Sequence, residues 1–157
     1  MVKDGFSYEA TLPDGSVVSL LVDQFIVVEK GEFATFYIHR NAVNYNVKMI
    51  NAVEFGDQEE VSRFTSVRVA DFDKRQNIFF PGARVIDKED QDSFFMLDWF
   101  SKNVGAPVFN EAKALVGICY HSPLEPSFAY TLSRIKDNLL KLSEVPGQTF
   151  EEFLPTL

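Results

Sequence analysis

The strongest constraint on the fold is a succession of short apolar runs, each interrupted by a turn sequence before it could complete a helix. Residues 6–12 and 17–22 flank Pro13-Asp14-Gly15 and predict a hairpin. Residues 25–28 and 33–38 flank Glu29-Lys30-Gly31-Glu32 and predict a second. Residues 43–55 alternate over part of their length (Val43, Tyr45, Val47, Met49), the pattern of a half-buried strand. Residues 61–70 alternate again, with Val67 and Val69 on one face and Arg68 on the other. The polar residues 71–76 read as a connector, and apolar runs resume at 78–80, 83–86, 94–99, 105–110, 115–118 and 128–132. One helical stripe stands against them: Ile135, Leu139, Leu140 and Leu142, behind Ser133 as N-cap and ending by Pro146-Gly147. About twelve short strands with one terminal helix predict an all-β barrel or sandwich.

Composition narrows the function classes. At 157 residues the chain makes one compact domain or two small packed subdomains, and 46% hydrophobic residues suffice for a core. Sixteen Phe against one Trp give that core an aromatic bias. A net charge of −8 without any Lys/Arg run makes nucleic acid and anionic membrane surfaces poor partners. The single cysteine, Cys119, excludes an internal disulfide and fits a reducing compartment. No apolar run approaches the roughly 18 residues of a membrane span, and the N-terminus lacks the apolar core of a signal peptide. An intracellular location, cytoplasmic or nuclear, is the expectation. Neither phosphate-binding glycine motif occurs, so no nucleotide is expected. His39 and His121 are the only histidines, and the acidic residues 87–92 lack the glycine of an EF-hand loop. No metal or cofactor is expected.

The most informative stretch is Gly105-Ala106-Pro107-Val108-Phe109-Asn110, then the turn Glu111-Ala112-Lys113, then Leu115-Val116-Gly117-Ile118. It predicts two short strands joined by a polar turn. A Pro at the head of a strand has no N–H for the ladder, so a special turn is expected ahead of it. This stretch resembles the second half of the nucleophile loop of trypsin-like serine proteases, particularly the high-temperature-requirement (Deg) branch. That loop reads G-[DN]-S-G-G-P, with a Gly-Ile strand after the next turn. Phe25, Gly31 and Thr35 match the spacing of the family's histidine motif, and Asp73 with Asn77-Ile78-Phe79-Phe80 that of its aspartate motif. Phe128-Ala129-Tyr130-Thr131 and the helix after it resemble the family's closing segment. The resemblance covers residues 16–142. It implies two small packed β-barrels, over about residues 5–75 and 76–132, then a helix at 133–144, all within a domain of residues 1–147. Residues 148–157 form a tail, packed on the domain or docking elsewhere.

Aligned this way, the catalytic positions are degenerate. The nucleophilic serine falls on Val104, the general-base histidine on Ile38 (His39 is one residue away), and the orienting aspartate on Asn77. Lys102-Asn103 also depart from the family's Gly-Asp. Val104 has no atom that can attack a carbonyl, Ile38 cannot take a proton, and Asn77 carries no charge to stabilise an imidazolium. Restoring His39 would rescue little, since loss of the nucleophile alone costs about 10⁶ in kcat. The resemblance therefore implies a pseudoprotease. Its substrate groove would remain as a site for a partner protein or extended peptide, added by strand augmentation around Cys119, Tyr120, His121 and Ser122, with Val104 and Gly105 as floor. Two alternatives stand beside this reading. One is a live cysteine or serine protease with its nucleophile relocated to Cys119 or Ser101. The other is a viral structural or accessory protein on the same fold.

Overall fold

The structure is a computed structural model, and it describes residues 7–11, 15, 17–20, 25–28, 33–36, 55–56, 61–88, 94–100, 103–120, 127–141 and 143–156. The chain divides into two compact units, Met1–Ala52 and Val53–Leu157. In the first, β1 (Tyr8–Thr11) and β2 (Val17–Leu20) pair antiparallel, and Gly15 supplies a positive φ of 82° between them. A second hairpin pairs β3 (Phe25–Val28) with β4 (Phe33–Phe36), Phe25 facing Phe36. Both hairpins follow the turn sequences. The strand expected over residues 43–55 falls, up to residue 54, outside the described residues.

The second unit contains a closed antiparallel barrel of six strands. These are β5 (Ser66–Val69), β8 (Gly82–Lys88), β9 (Phe94–Leu97), β10 (Pro107–Phe109), β11 (Leu115–Tyr120) and β12 (Ser127–Thr131). Around the barrel they run β10-β11-β12-β9-β8-β5, and β5 then pairs β10 to close the ring. Alternation dictates the filling. Val67 and Val69 from β5, Ala83 and Val85 from β8, and Phe95 and Leu97 from β9 point inward. Val108, Val116, Cys119 and Ala129 complete the core from the other three strands. Two further strands, β6 (Asp71–Phe72) and β7 (Ile78–Phe79), form a hairpin between β5 and β8.

Phe95 is the largest side chain wholly inside, and the wall opposite is cut back to receive it. Across β12 it faces Ala129. A Cβ at Gly117 would lie 2.8 Å from the Phe95 ring and 2.7 Å from the Tyr130 carbonyl oxygen. Gly117 is thus demanded by packing, since backbone cannot retreat from that contact.

The architecture is mostly β, as expected, but three assignments need correction: that of β5, that of residues 71–76 and the N-cap of the helix. The resemblance implies a first barrel that runs to about residue 75; instead β5 closes a ring with β8, β9, β10, β11 and β12, because Val67 and Val69 fill the same interior as Val85 and Val108. Among the described residues of the first unit the strands form two separate two-stranded sheets, so one closed barrel is described where the resemblance implies two. Residues 71–76 are not simply a connector, since Asp71–Phe72 is a strand and Asp71 is buried. The helix α1 spans Leu132–Leu140, and its N-cap is Thr131 rather than Ser133, with the Thr131 hydroxyl accepting from the Arg134 N–H at 3.3 Å. Thr131 thereby ends β12 and starts the helix in one step. Ile135 and Leu139 of the stripe are buried.

The tail packs on its own unit. Residues Phe150–Phe153 form α2 behind a capping box of Thr149 and Glu152, and both Phe150 and Phe153 are buried. The Phe150 ring lies 5.9 Å from that of Phe55, with the Lys136 ammonium 5.4 Å above it. Among the described residues no helix is long and apolar enough to cross a membrane.

The close fit of Phe95 to Gly117 is testable. Gly117→Ala should destabilise the protein by about 1–3 kcal/mol through overpacking, read as a lower urea midpoint at unchanged m-value. An unchanged midpoint would mean that the barrel wall yields and that Gly117 is not required.

Candidate functional site

The residues aligned with the nucleophile loop form a tight turn ahead of β10. The Ala106 N–H donates to the Asn103 carbonyl at 3.2 Å, which places Val104 and Gly105 at the turn's centre. Gly105 has φ +90°, the position of a type II turn that needs glycine. The turn is sewn to β11 on its far side. The Gly105 N–H donates to the Cys119 carbonyl at 2.7 Å, and the Cys119 N–H donates to the Ala106 carbonyl at 2.8 Å. Pro107 can therefore head its strand, because the ladder is carried at that level by its neighbours. Val104, at the apex, is 65% exposed.

Beneath the turn lies a group that the sequence did not disclose. Asp71 is only 4% exposed. Its carboxylate accepts from the Trp99 indole N–H at 3.3 Å, from the Phe72 N–H at 2.8 Å and from the side-chain amide of Asn103. These donors offset the desolvation of a buried anion. Asn103 thus ties the turn to Asp71, and Trp99 ties it to the segment after β9. The only local signal was an acid and a Trp flanked by apolar residues, and nothing in their spacing links positions 71, 99 and 103.

Cys119 sits in the core at 3% exposure. Burial, reinforced by the negative charge of Asp71, pushes its thiol up to about 12. A thiol held protonated at neutral pH and shielded from solvent is a poor nucleophile. Asp71 also opposes any oxyanion at the turn, since catalysis of acyl transfer needs positive potential where that charge develops.

The other predicted positions lie as follows. Asn77 is exposed in the β6–β7 turn, where its N–H and side-chain amide donate to the Asp73 carboxylate at 2.9 and 3.2 Å. The Asp73 N–H returns a bond to the Asn77 carbonyl at 2.9 Å. Asp73 is held below the usual carboxylate range, first by the Asn77 N–H. The spacing of Asp73 and Asn77 is therefore that of a side-chain-closed hairpin turn. Val104, Gly105 and Cys119 are brought together by the turn's hydrogen bonds. Tyr120 follows on β11, facing Phe128 across the ladder and stacking on Tyr130 at 4.2 Å. Ile38, His39, Ser101, His121 and Ser122 lie outside the described residues, as do residues 89–92 of the acidic loop.

Strand augmentation has limited room here. The backbone of Cys119 is engaged by Gly105 and Ala106, and β11 is paired along both sides up to that level. The sequence matches no known family model and no curated protein.

The single thiol gives two readouts. Maleimide should label Cys119 far more slowly in the native than in the urea-unfolded protein, and comparable rates would refute the buried position. The folded thiol titrates near 12, above the roughly 8.5 of a free one. The native state then holds its proton longer, so Cys119 stabilises the fold fully below about 8.5 and progressively less as pH rises toward 12. Cys119→Ala should flatten that decline in the urea midpoint. Asp71→Ala should cost about 1–3 kcal/mol by orphaning buried donors. It should also bring the thiol pKa down, while burial, the larger cause, keeps it above the ordinary value.

Proposed function

We propose that this chain is a non-enzymatic protein-interaction domain built on a trypsin-like barrel, a pseudoprotease whose nucleophile turn survives as a shape. The observation that carries the reading is Val104, exposed at the apex of a turn with Gly105 at φ +90°. Support comes also from the closed antiparallel barrel and from the turn's position directly ahead of a strand that pairs with the Gly117-Ile118 strand. An apolar residue at such an apex presents a small hydrophobic knob where a reactive hydroxyl would otherwise sit. In this reading a partner polypeptide lies across the exposed Val104 in an extended conformation, an interaction that makes no demand on catalysis.

A relocated cysteine nucleophile finds no favour in the geometry of Cys119, which is buried, protonated and next to an anion.

The test has two parts. The native protein should not hydrolyse fluorescent casein and should not be labelled by a fluorophosphonate probe, and Val104→Ser should gain neither property, because the position that matches the family's general base is Ile38. Labelling of the native but not the unfolded chain would sink the pseudoprotease reading. On an array of immobilised extended peptides, Val104→Asp should abolish whatever binding the wild type shows while leaving the urea midpoint within about 0.5 kcal/mol, as expected for an exposed position. Binding that survives the substitution would place the interaction elsewhere.

A further inference from the structure

The outer wall of the barrel carries a second feature, independent of the protease resemblance. Where β5, β8 and β10 run side by side, a cleft of about 1040 Å³ opens on the solvent face. The register explains its shape. Phe109 faces Arg68, and Arg68 faces Gly82, so one row runs aromatic, cationic, empty. A side chain at Gly82 would meet nothing within 4 Å, and its absence leaves the floor open. Arg84 lies one step along, opposite Ser66 and diagonal to Arg68, so the two guanidinium stems share a face about 7–8 Å apart at their Cα atoms. Phe80 and Lys113 line the rim.

Charge decides what this cleft suits. Arg68 donates to the Phe80 carbonyl at 3.1 Å. The side chains of Arg84 and Lys113 have no ion-pair or hydrogen-bond partner among the described residues. Two acids are present: Asp98, which accepts the Arg84 backbone N–H at 2.6 Å, and Glu111. Three cations against two anions make this a weakly positive site in a molecule of net charge −8. Polyphosphate would set several negative charges against Asp98 and Glu111. A polypeptide offers carboxylates to the arginines, backbone N–H donors to the two acids, and an apolar side chain to the aromatic rings.

Lys113 adds a second, separate observation. It closes the three-residue β10–β11 turn at φ +63°, where glycine or asparagine is the comfortable choice. The Asn110 side chain and backbone hold that turn through Ala114 and Lys113. A left-handed third residue is what this turn type requires, and here that position carries a long cation that lines the cleft.

We propose that this cleft binds an acidic peptide segment, an apolar residue seated between Phe80 and Phe109 and flanked by carboxylates on Arg68, Arg84 and Lys113. Because the barrel is closed, its strands offer no free edge here, and recognition is by side chains alone.

The experiment is an amide-resolved NMR titration of the full chain with a short capped peptide alternating glutamate and phenylalanine. The controls are the same peptide with lysine for glutamate, and adenosine diphosphate. The acidic peptide at about 1 mM, enough to detect weak binding, should shift the amides of residues 66–68, 82–84 and 109–113, and the lysine peptide should not. Arg84→Glu and Gly82→Phe should each weaken binding about tenfold, the second by filling the floor. Lys113→Gly should weaken binding while raising the melting temperature, which separates a functional lysine from a structural one. The proposal falls if no shifts occur, or if both peptides act alike. It falls equally if Gly82→Phe binds undiminished, if adenosine diphosphate alone shifts these amides, or if the shifts gather around Gly105 and Tyr120 instead.

Discussion

Everything in the second unit depends on one short pairing, that of β5 with β10. Only Val69 with Val108 and Arg68 with Phe109 face each other there, yet this contact turns an open sheet into a ring. Closure removes both edges, which would otherwise leave unpaired backbone groups open to other chains. It also seals Val67, Val69 and Val108 into one interior at almost no exposure. One flanking bond extends the seam, from the Ala70 N–H to the Pro107 carbonyl. The strand involved is three residues long and begins with a proline. Such a strand cannot stabilise itself by ladder bonds, so its position is enforced by its neighbours.

The seam also organises what lies on either side of it. Inside and above, the chain leaving Val69 meets Asp71 within two residues, so the pairing that closes the barrel places the carboxylate beneath the turn at residues 103–106. Asn103 and Trp99 then bond to it. Outside, the same register sets Phe109, Arg68 and Gly82 in one row and so generates the cleft. The apex of the turn and the floor of the cleft are two faces of one structural decision, although their chemistries are unrelated. A substitution that weakened the seam would disturb both, whereas Val104 and Gly82 can be changed separately because neither contributes to the core.

Much of this architecture was legible because it is local. Alternation at Val67-Arg68-Val69 and the apolar runs at Phe95, Val108 and Val116 reveal strands, and Pro13-Asp14-Gly15 reveals a turn, from residues a few positions apart. The helix stripe behaved likewise, with its N-cap two residues earlier than expected because Thr131 caps while still in β12. What stayed hidden is nonlocal. Nothing in residues 66–69 says that their partner lies some forty positions on, so the sequence does not show that β5 closes the ring. Asp71 looked like the start of a polar connector, since its donors at positions 99 and 103 come close only after closure. Lys113 looked like an ordinary turn residue, because its left-handed φ is invisible in a one-letter code.

The same reasoning bears on how the spacing of motifs should be read. Asp73 and Asn77 have a spacing that matches an aspartate motif, but the geometry shows a turn closed by its own carboxylate, a sufficient reason for those two residues to be where they are. Gly105 and Gly117 have local reasons as well, a positive φ in one case and the ring of Phe95 in the other. Structural necessity therefore accounts for the glycines, the proline and the acid–amide pair without any appeal to catalysis. It does not account for a valine at an exposed apex, for which the fold itself has no use. Nor does it account for the open floor at Gly82, beside Arg68 and Phe109. Residues that the fold does not need are where function is to be sought, and here they fall on the exposed apex at Val104 and on the outer wall at Gly82.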